Sequence, residues 1–254
     1  MGNQKIIGIV GGMGPFAGLD LMQKILDQTQ ATCDQNHLSS ALLSFPSAIA
    51  DRSLFLLGQK GPNPAFAILS IIRTLDGMGV SVIGIPCNTA HSPPIFDVIS
   101  QELKNSRSKV RLIHMIDETV KFIKEQHPHF RRIGVLSTQG TFRAKVYGSV
   151  LKKNGFKVIL LSETDQDTVH KAIYDQADGI KAQANPVSKV ARRILLKAIH
   201  NLQKNGAQAV ILGCSEIPLA VKERAVGGTV IVDPTRILAR ALIRAVAPDR
   251  LKPL

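Results

Sequence analysis

At 254 residues and 44% hydrophobic content, with no apolar run of membrane-spanning length, the chain can bury a large core in one big or two small domains. Its polar start, Met1 to Lys5, runs straight into a strand, so a cytoplasmic protein with no leader and no membrane contact is expected. The net charge of +13 would suit nucleic acid, yet only 4% of residues are aromatic and none is Trp, so little is available to stack on bases and nucleic-acid binding is not expected.

Lys5 to Val10 is a short apolar run ending in Gly11-Gly12-Met13-Gly14-Pro15, after which Leu19, Leu21, Met22, Ile25 and Leu26 recur at helical spacing. This is strand, glycine turn, helix, a unit that can offer backbone N–H groups to an anion. It lacks the GxGxxG spacing of a dinucleotide site, and no nucleotide cofactor is expected. Ser40 to Pro46 reads as a second strand feeding a loop that carries Asp51-Arg52, and Asn63-Pro64 opens an apolar helix running to about Met78. Val80 to Ile85 is a buried strand that stops at Pro86-Cys87-Asn88-Thr89-Ala90-His91. Ser92, Pro93 and Pro94 then start the next helix, Val110 to Asp117 reads as a further strand, and Glu118 to Gln126 as a short helix.

At Arg131 to Thr141 the pattern begins again. Gly8 and Gly14 are matched by Gly134 and Gly140, and Cys87 is matched by Cys214 in Gly213-Cys214-Ser215-Glu216-Ile217-Pro218. Residues 142–205 are mostly helical in pattern, with a strand at Lys157 to Leu161, and Arg236, Arg240 and Arg244 read as the solvated face of the last helix. The repetition implies an α/β fold of two pseudo-symmetric lobes, each a mainly parallel sheet flanked by helices, with the active site in the cleft between them. The expected lobes are residues 1–113 and 114–233, with residues 234–254 packing back on the first.

Three cysteines without a leader imply free thiols, and the chain has neither CxxC nor HExxH spacing, so no metal is expected. Cys33 lies in a polar stretch and is set aside. Ligands of open α/β sheets bind beyond the carboxyl ends of the strands, and both Cys87 and Cys214 stand at such ends. A lone nucleophile would not need a symmetric copy, whereas inversion at carbon does: one base removes a proton from one face while an acid delivers one to the other. Charge that develops on a carboxylate next to the reacting carbon needs donors around it, for which Asn88, Thr89, Ser215 and the Gly12, Met13, Gly14 turn are suited. His91 and Glu216 stand close enough in sequence to tune the thiols or to make structural hydrogen bonds.

These motifs, together with Gly140-Thr141, Tyr147 and Gly179 to Ala182, resemble the aspartate/glutamate racemase family over nearly the whole chain. The resemblance implies a cofactor-independent amino-acid racemase, assembled as a homodimer, in which Cys87 and Cys214 are the acid/base pair and Asn88, Thr89 and Ser215 hold the α-carboxylate. It further implies that Arg52 and Lys181 bind a distal carboxylate; the residues alone would place both on a solvated surface. Gly18 stands where the family often has Thr or Ser, and Ser215 where Thr is commoner. The superfamily also includes hydantoin racemases and diacid cis-trans isomerases, which are alternatives, as is a two-lobed small-molecule or nucleic-acid binder.

Overall fold

The computed structural model describes residues 5–254. The first half supplies β1 (Ile6–Gly11), α1 (Pro15–Gln28), β2 (Ser40–Ser44), α2 (Arg52–Leu56), α3 (Pro64–Gly77), β3 (Val80–Gly84), α4 (Pro93–Asn105), β4 (Arg111–Ile113) and α5 (Met115–Gln126). Its strands lie in the order β2-β1-β3-β4, and every neighbouring pair is parallel. The second half supplies β5 (Arg132–Leu136), α6 (Gln139–Arg143), α7 (Val146–Lys153), β6 (Lys157–Ile159), α8 (Glu163–Tyr174), α9 (Lys189–Lys204), β7 (Ala209–Leu212), α10 (Ile217–Ala220), β8 (Ala225–Val226), β9 (Thr229–Val232) and α11 (Pro234–Val246). These strands lie in the order β6-β5-β7-β9-β8. Apart from the antiparallel β8, both sheets run second strand, first, third, fourth, which is the duplication that the glycine and cysteine spacings indicate.

Local chemistry explains the boundaries. β1 and β7 read as continuous apolar runs because helices cover both faces of a parallel sheet. Asn63 caps α3 by accepting from the Ala65 N–H at 2.9 Å with Pro64 in the first turn, and Asp233 caps α11 by accepting from Thr235 N–H at 2.9 Å and Arg236 N–H at 3.2 Å. Ser92 opens α4, although its hydroxyl makes no capping bond.

Four expectations are corrected. The strand read at Val110 to Asp117 spans only Arg111–Ile113, because the His114 ring accepts from the Asp117 N–H at 3.2 Å and Asp117 and Glu118 favour a helix in its first turn. The strand at Lys157 to Leu161 stops at Ile159, and Leu160 is exposed. Asp51 and Arg52 are no loop: the Asp51 carboxylate accepts from the Leu54 N–H at 2.9 Å, capping α2 and placing Arg52 on its first residue. The arginine face of α11 is not simply solvated, since Arg240 is only 7% exposed.

The two sheets share their terminal helices. Leu238 and Leu242 of α11 pack with Ile7, Ile9 and Val82 of the first sheet, while Ile116, Val120 and Ile123 of α5 pack with Ile133, Ala209 and Ile211 of the second. Each helix that closes one half is therefore buried on the other half's sheet, and the carboxyl ends of the strands come to face one another across a cleft. No described helix is long and apolar enough to cross a membrane.

Candidate active site

Cys87 follows β3 and Cys214 follows β7. Both thiols are buried, and they wall the same chamber between the lobes. With them stand Met13, Arg52, Asn88, Thr89, Lys181, Ser215 and Glu216. The chamber holds about 10 Å³ of space, near the lower limit for a single water. A wider vestibule of about 290 Å³, edged by Gly12 and Gly14, shares Arg52, Lys181 and Glu216 with it. These three charged side chains therefore stand at the border between the vestibule and the two thiols.

The environments of the two cysteines differ in charge. The guanidinium of Arg52, a residue only 8% exposed, lies against Cys87. Burial acts to lower its pKa, but the charges of Cys87 and Asp51 outweigh that and raise it. Cys214, in contrast, donates its S–H to Glu216 Oε2 at 2.9 Å. Burial first, and then the Glu216 charge, hold this thiol well above the ordinary thiol range. Glu216 stays ionised although burial works against it, because the Lys181 ammonium and the Cys214 S–H bring its pKa below the usual carboxylate value. Lys181 Nζ donates to Glu216 Oε1 at 2.7 Å and the Gly14 N–H to the same oxygen at 3.0 Å. The anion held by the glycine turn is thus an internal carboxylate from the opposite lobe.

Several participants escape a reading of the sequence. Ser53, Thr138 and Tyr174 also line the chamber. Ser53 Oγ is 3.0 Å from Thr138 Oγ1, Thr138 donates to Thr141 Oγ1 at 3.3 Å, and Thr141 is 2.8 Å from Thr89 Oγ1, so a chain of buried hydroxyls crosses from lobe to lobe. Tyr147 donates its OH to Asn88 Oδ1 at 2.5 Å, leaving Asn88 Nδ2 buried with no partner among the described residues. Thr138 carries a usable signal, since it follows the carboxyl end of β5; Ser53 and Tyr174 lie on helices and carry none.

At the lobe contact a Cβ on Gly140 would stand 2.5 Å from Ser53 Cα. Gly140→Ala should therefore push α6 off α2, break the hydroxyl chain and cost about 1–3 kcal/mol of stability, as overpacking does. Urea unfolding checks this; an unchanged midpoint refutes the close contact.

His91 lies outside the chamber walls. Its Nδ1–H donates to the Cys87 carbonyl at 2.9 Å, and its ring packs against Phe96 and His114. Burial, and then the nearby His114, lower its pKa to about 3 from 6.5. Only the unfolded chain takes up this proton between those values, so stability should fall as pH drops from 6.5 toward 3, at about 1.4 kcal/mol per unit for one proton. In His91→Phe that slope should shrink by one proton's worth, measured by denaturation at a series of pH values.

Two duplicated α/β lobes put a thiol from each in one buried cleft, and by its kinship with known racemases the chain is an isomerase of the racemase kind. The Asp/Glu/hydantoin racemase family model matches residues 10–242, and the chain belongs to that family. It is 28% identical over 245 residues to a broad-specificity amino-acid racemase, RacX, of Bacillus subtilis, covering 94% of this chain and 96% of that one. The solved structure of Picrophilus torridus aspartate racemase is 30% identical, with a TM-score of 0.80 over 98% of this chain and 96% of that one. A glutamate racemase from Francisella tularensis, at 15% identity and a TM-score of 0.64 over 100% of this chain and 85% of that one, shares the fold.

Proposed function

We propose that the protein is a cofactor-independent amino-acid racemase in which Cys87 and Cys214 are the two acid/base groups. The observation that carries this is their presence, from opposite lobes, in one buried chamber. Arg52 sets a cation against Cys87, while Cys214 holds its proton against Glu216. The Cys87 thiolate takes the α-proton from one face of the substrate and Cys214 S–H delivers a proton to the other, leaving the thiol on Cys87 and the thiolate on Cys214. The opposite enantiomer is turned over from that state, and Lys181 offsets the two negative charges then facing each other at Cys214 and Glu216.

Negative charge that builds on the α-carboxylate meets the unpartnered Asn88 amide N–H together with the hydroxyls of Thr89 and Ser215. Arg52 and Lys181 at the border of chamber and vestibule suit the distal carboxylate of aspartate or glutamate. Lys181, however, is already paired with Glu216, which leaves Arg52 as the cation not bound by a carboxylate in the chamber wall and favours tolerance of other side chains. A panel of enantiopure amino acids in deuterated buffer, without added cofactor, tests both points: loss of optical rotation with α-deuterium uptake supports the racemase. A mass increase equal to trapped substrate, with no α-exchange, would instead favour a nucleophilic isomerase of the same family. We also propose a homodimer, to be read from the sedimentation coefficient.

A further inference from the structure

A second cavity, of about 350 Å³, lies between α1, α11 and the chain from Pro218 to Val232. That is the size of a small-molecule site, and none of the residues lining the cysteine chamber lines it. Five cations face it: Lys24, Lys222, Arg224, Arg236 and Arg240. Four carboxylates, Asp20, Asp27, Glu223 and Asp233, share its wall, and among the described residues none of them pairs with an arginine of the cavity. Asp20 and Asp233 both hold Lys24, at 2.5 and 2.7 Å, and Asp233 also caps α11. Glu223 is paired with Arg192, and Asp27 accepts from Gln23 at 2.8 Å.

Among the described residues this leaves Arg224, Arg236 and Arg240 with no carboxylate partner. Arg240 is nearly buried and donates only to the neutral Gln28 side chain at 2.8 Å, and Arg236 Nε is buried with no acceptor. Burial, and after it the charges of neighbouring arginines, hold both guanidiniums below their usual pKa range. Unpaired, partly desolvated like charges around one cavity are costly unless a ligand neutralises them, and planar guanidinium forks suit phosphoryl oxygens. The remaining wall, Val221, Ile231 and Ile237, is apolar and can cover an organic portion.

We propose that this cavity binds a small phosphorylated metabolite, its phosphate or diphosphate held by Arg224, Arg236 and Arg240. The ligand spans both halves of the molecule, since α1 and α11 belong to the first sheet's packing and β9 to the second sheet. Isothermal titration with pyrophosphate and with inorganic phosphate, at physiological salt, tests this on the whole protein and does not depend on racemase activity. Saturable binding is expected, with pyrophosphate the tighter of the two, and with a rise in melting temperature. Affinity should fall at least about tenfold in the Arg224→Ala/Arg236→Ala double variant. The exposed Arg224→Ala alone gives a second variant that leaves the fold untouched and should weaken binding by a smaller factor. Absence of saturable binding, equal affinity in the double variant, or succinate binding as tightly as pyrophosphate would each overturn the assignment.

Discussion

Replacing either Cys87 or Cys214 by alanine should lower racemisation by roughly 10³-fold, within the range that positioned acid/base groups contribute. The two variants should differ in what survives. Cys214→Ala keeps the Cys87 base, so it should still exchange the α-proton of one enantiomer with deuterium while returning that same enantiomer. Cys87→Ala should retain any such exchange only for the opposite enantiomer, and more slowly, because Cys214 stands beside Glu216 and gives up its proton reluctantly. Proton NMR of each pure enantiomer in deuterated buffer separates these outcomes from general loss of activity. Near-native racemisation by either variant, or exchange of both enantiomers by one of them, would sink the two-base assignment.

Glu216→Gln should have the next largest effect, because one carboxylate serves Cys214, Lys181 and the glycine turn at once. Glutamine keeps the shape and an acceptor oxygen but removes the charge. After burial, that charge is what holds the Cys214 proton, so the thiol pKa should drop in the variant. The alkaline limb of the kcat/KM profile, set by loss of the proton from the acid, should then move to lower pH. Lys181 would lose its counter-charge; its side chain keeps 25% exposure, so a cost of about 2 kcal/mol is expected, below that for a fully buried pair. Because Glu216 titrates below its ordinary 4.5 in the folded protein, this stabilisation is complete above that pH and fades as pH falls through the lowered value. The difference in unfolding free energy between wild type and variant should therefore be full at neutral pH and vanish in acid. An unmoved alkaline limb would show that Glu216 does not govern the Cys214 proton.

The repeated spacings of Gly8, Gly14 and Cys87 with Gly134, Gly140 and Cys214 carry the duplicated α/β plan, and both sheets show the same strand order. Continuous apolar runs mark parallel strands because helices cover both faces, and a thiol that closes such a run stands where these sheets bind ligands. The motifs also brought Asn88, Thr89, Ser215 and Glu216 to the chamber wall. Boundaries were less legible: a cap at His114 shortens β4 and a cap at Asp51 turns a loop into α2, since a single side-chain acceptor decides where a helix begins.

By itself, then, the sequence determined the two lobes, the placement of a cysteine at one strand end in each, and the hydroxyl and amide residues beside them, because local periodicity and strand-end position are written in consecutive residues. Only the tertiary structure decided what surrounds each thiol. Arg52 reaches Cys87 from a capped helix, Lys181 and the Gly14 N–H meet on Glu216 beside Cys214, and Arg236 and Arg240 turn from a solvated face into the wall of a cavity. Those contacts join residues up to 202 positions apart, and no periodicity encodes them. Electrostatic environment is a property of the packed lobes, and it is what distinguishes two cysteines that the duplicated sequence presents as equivalent.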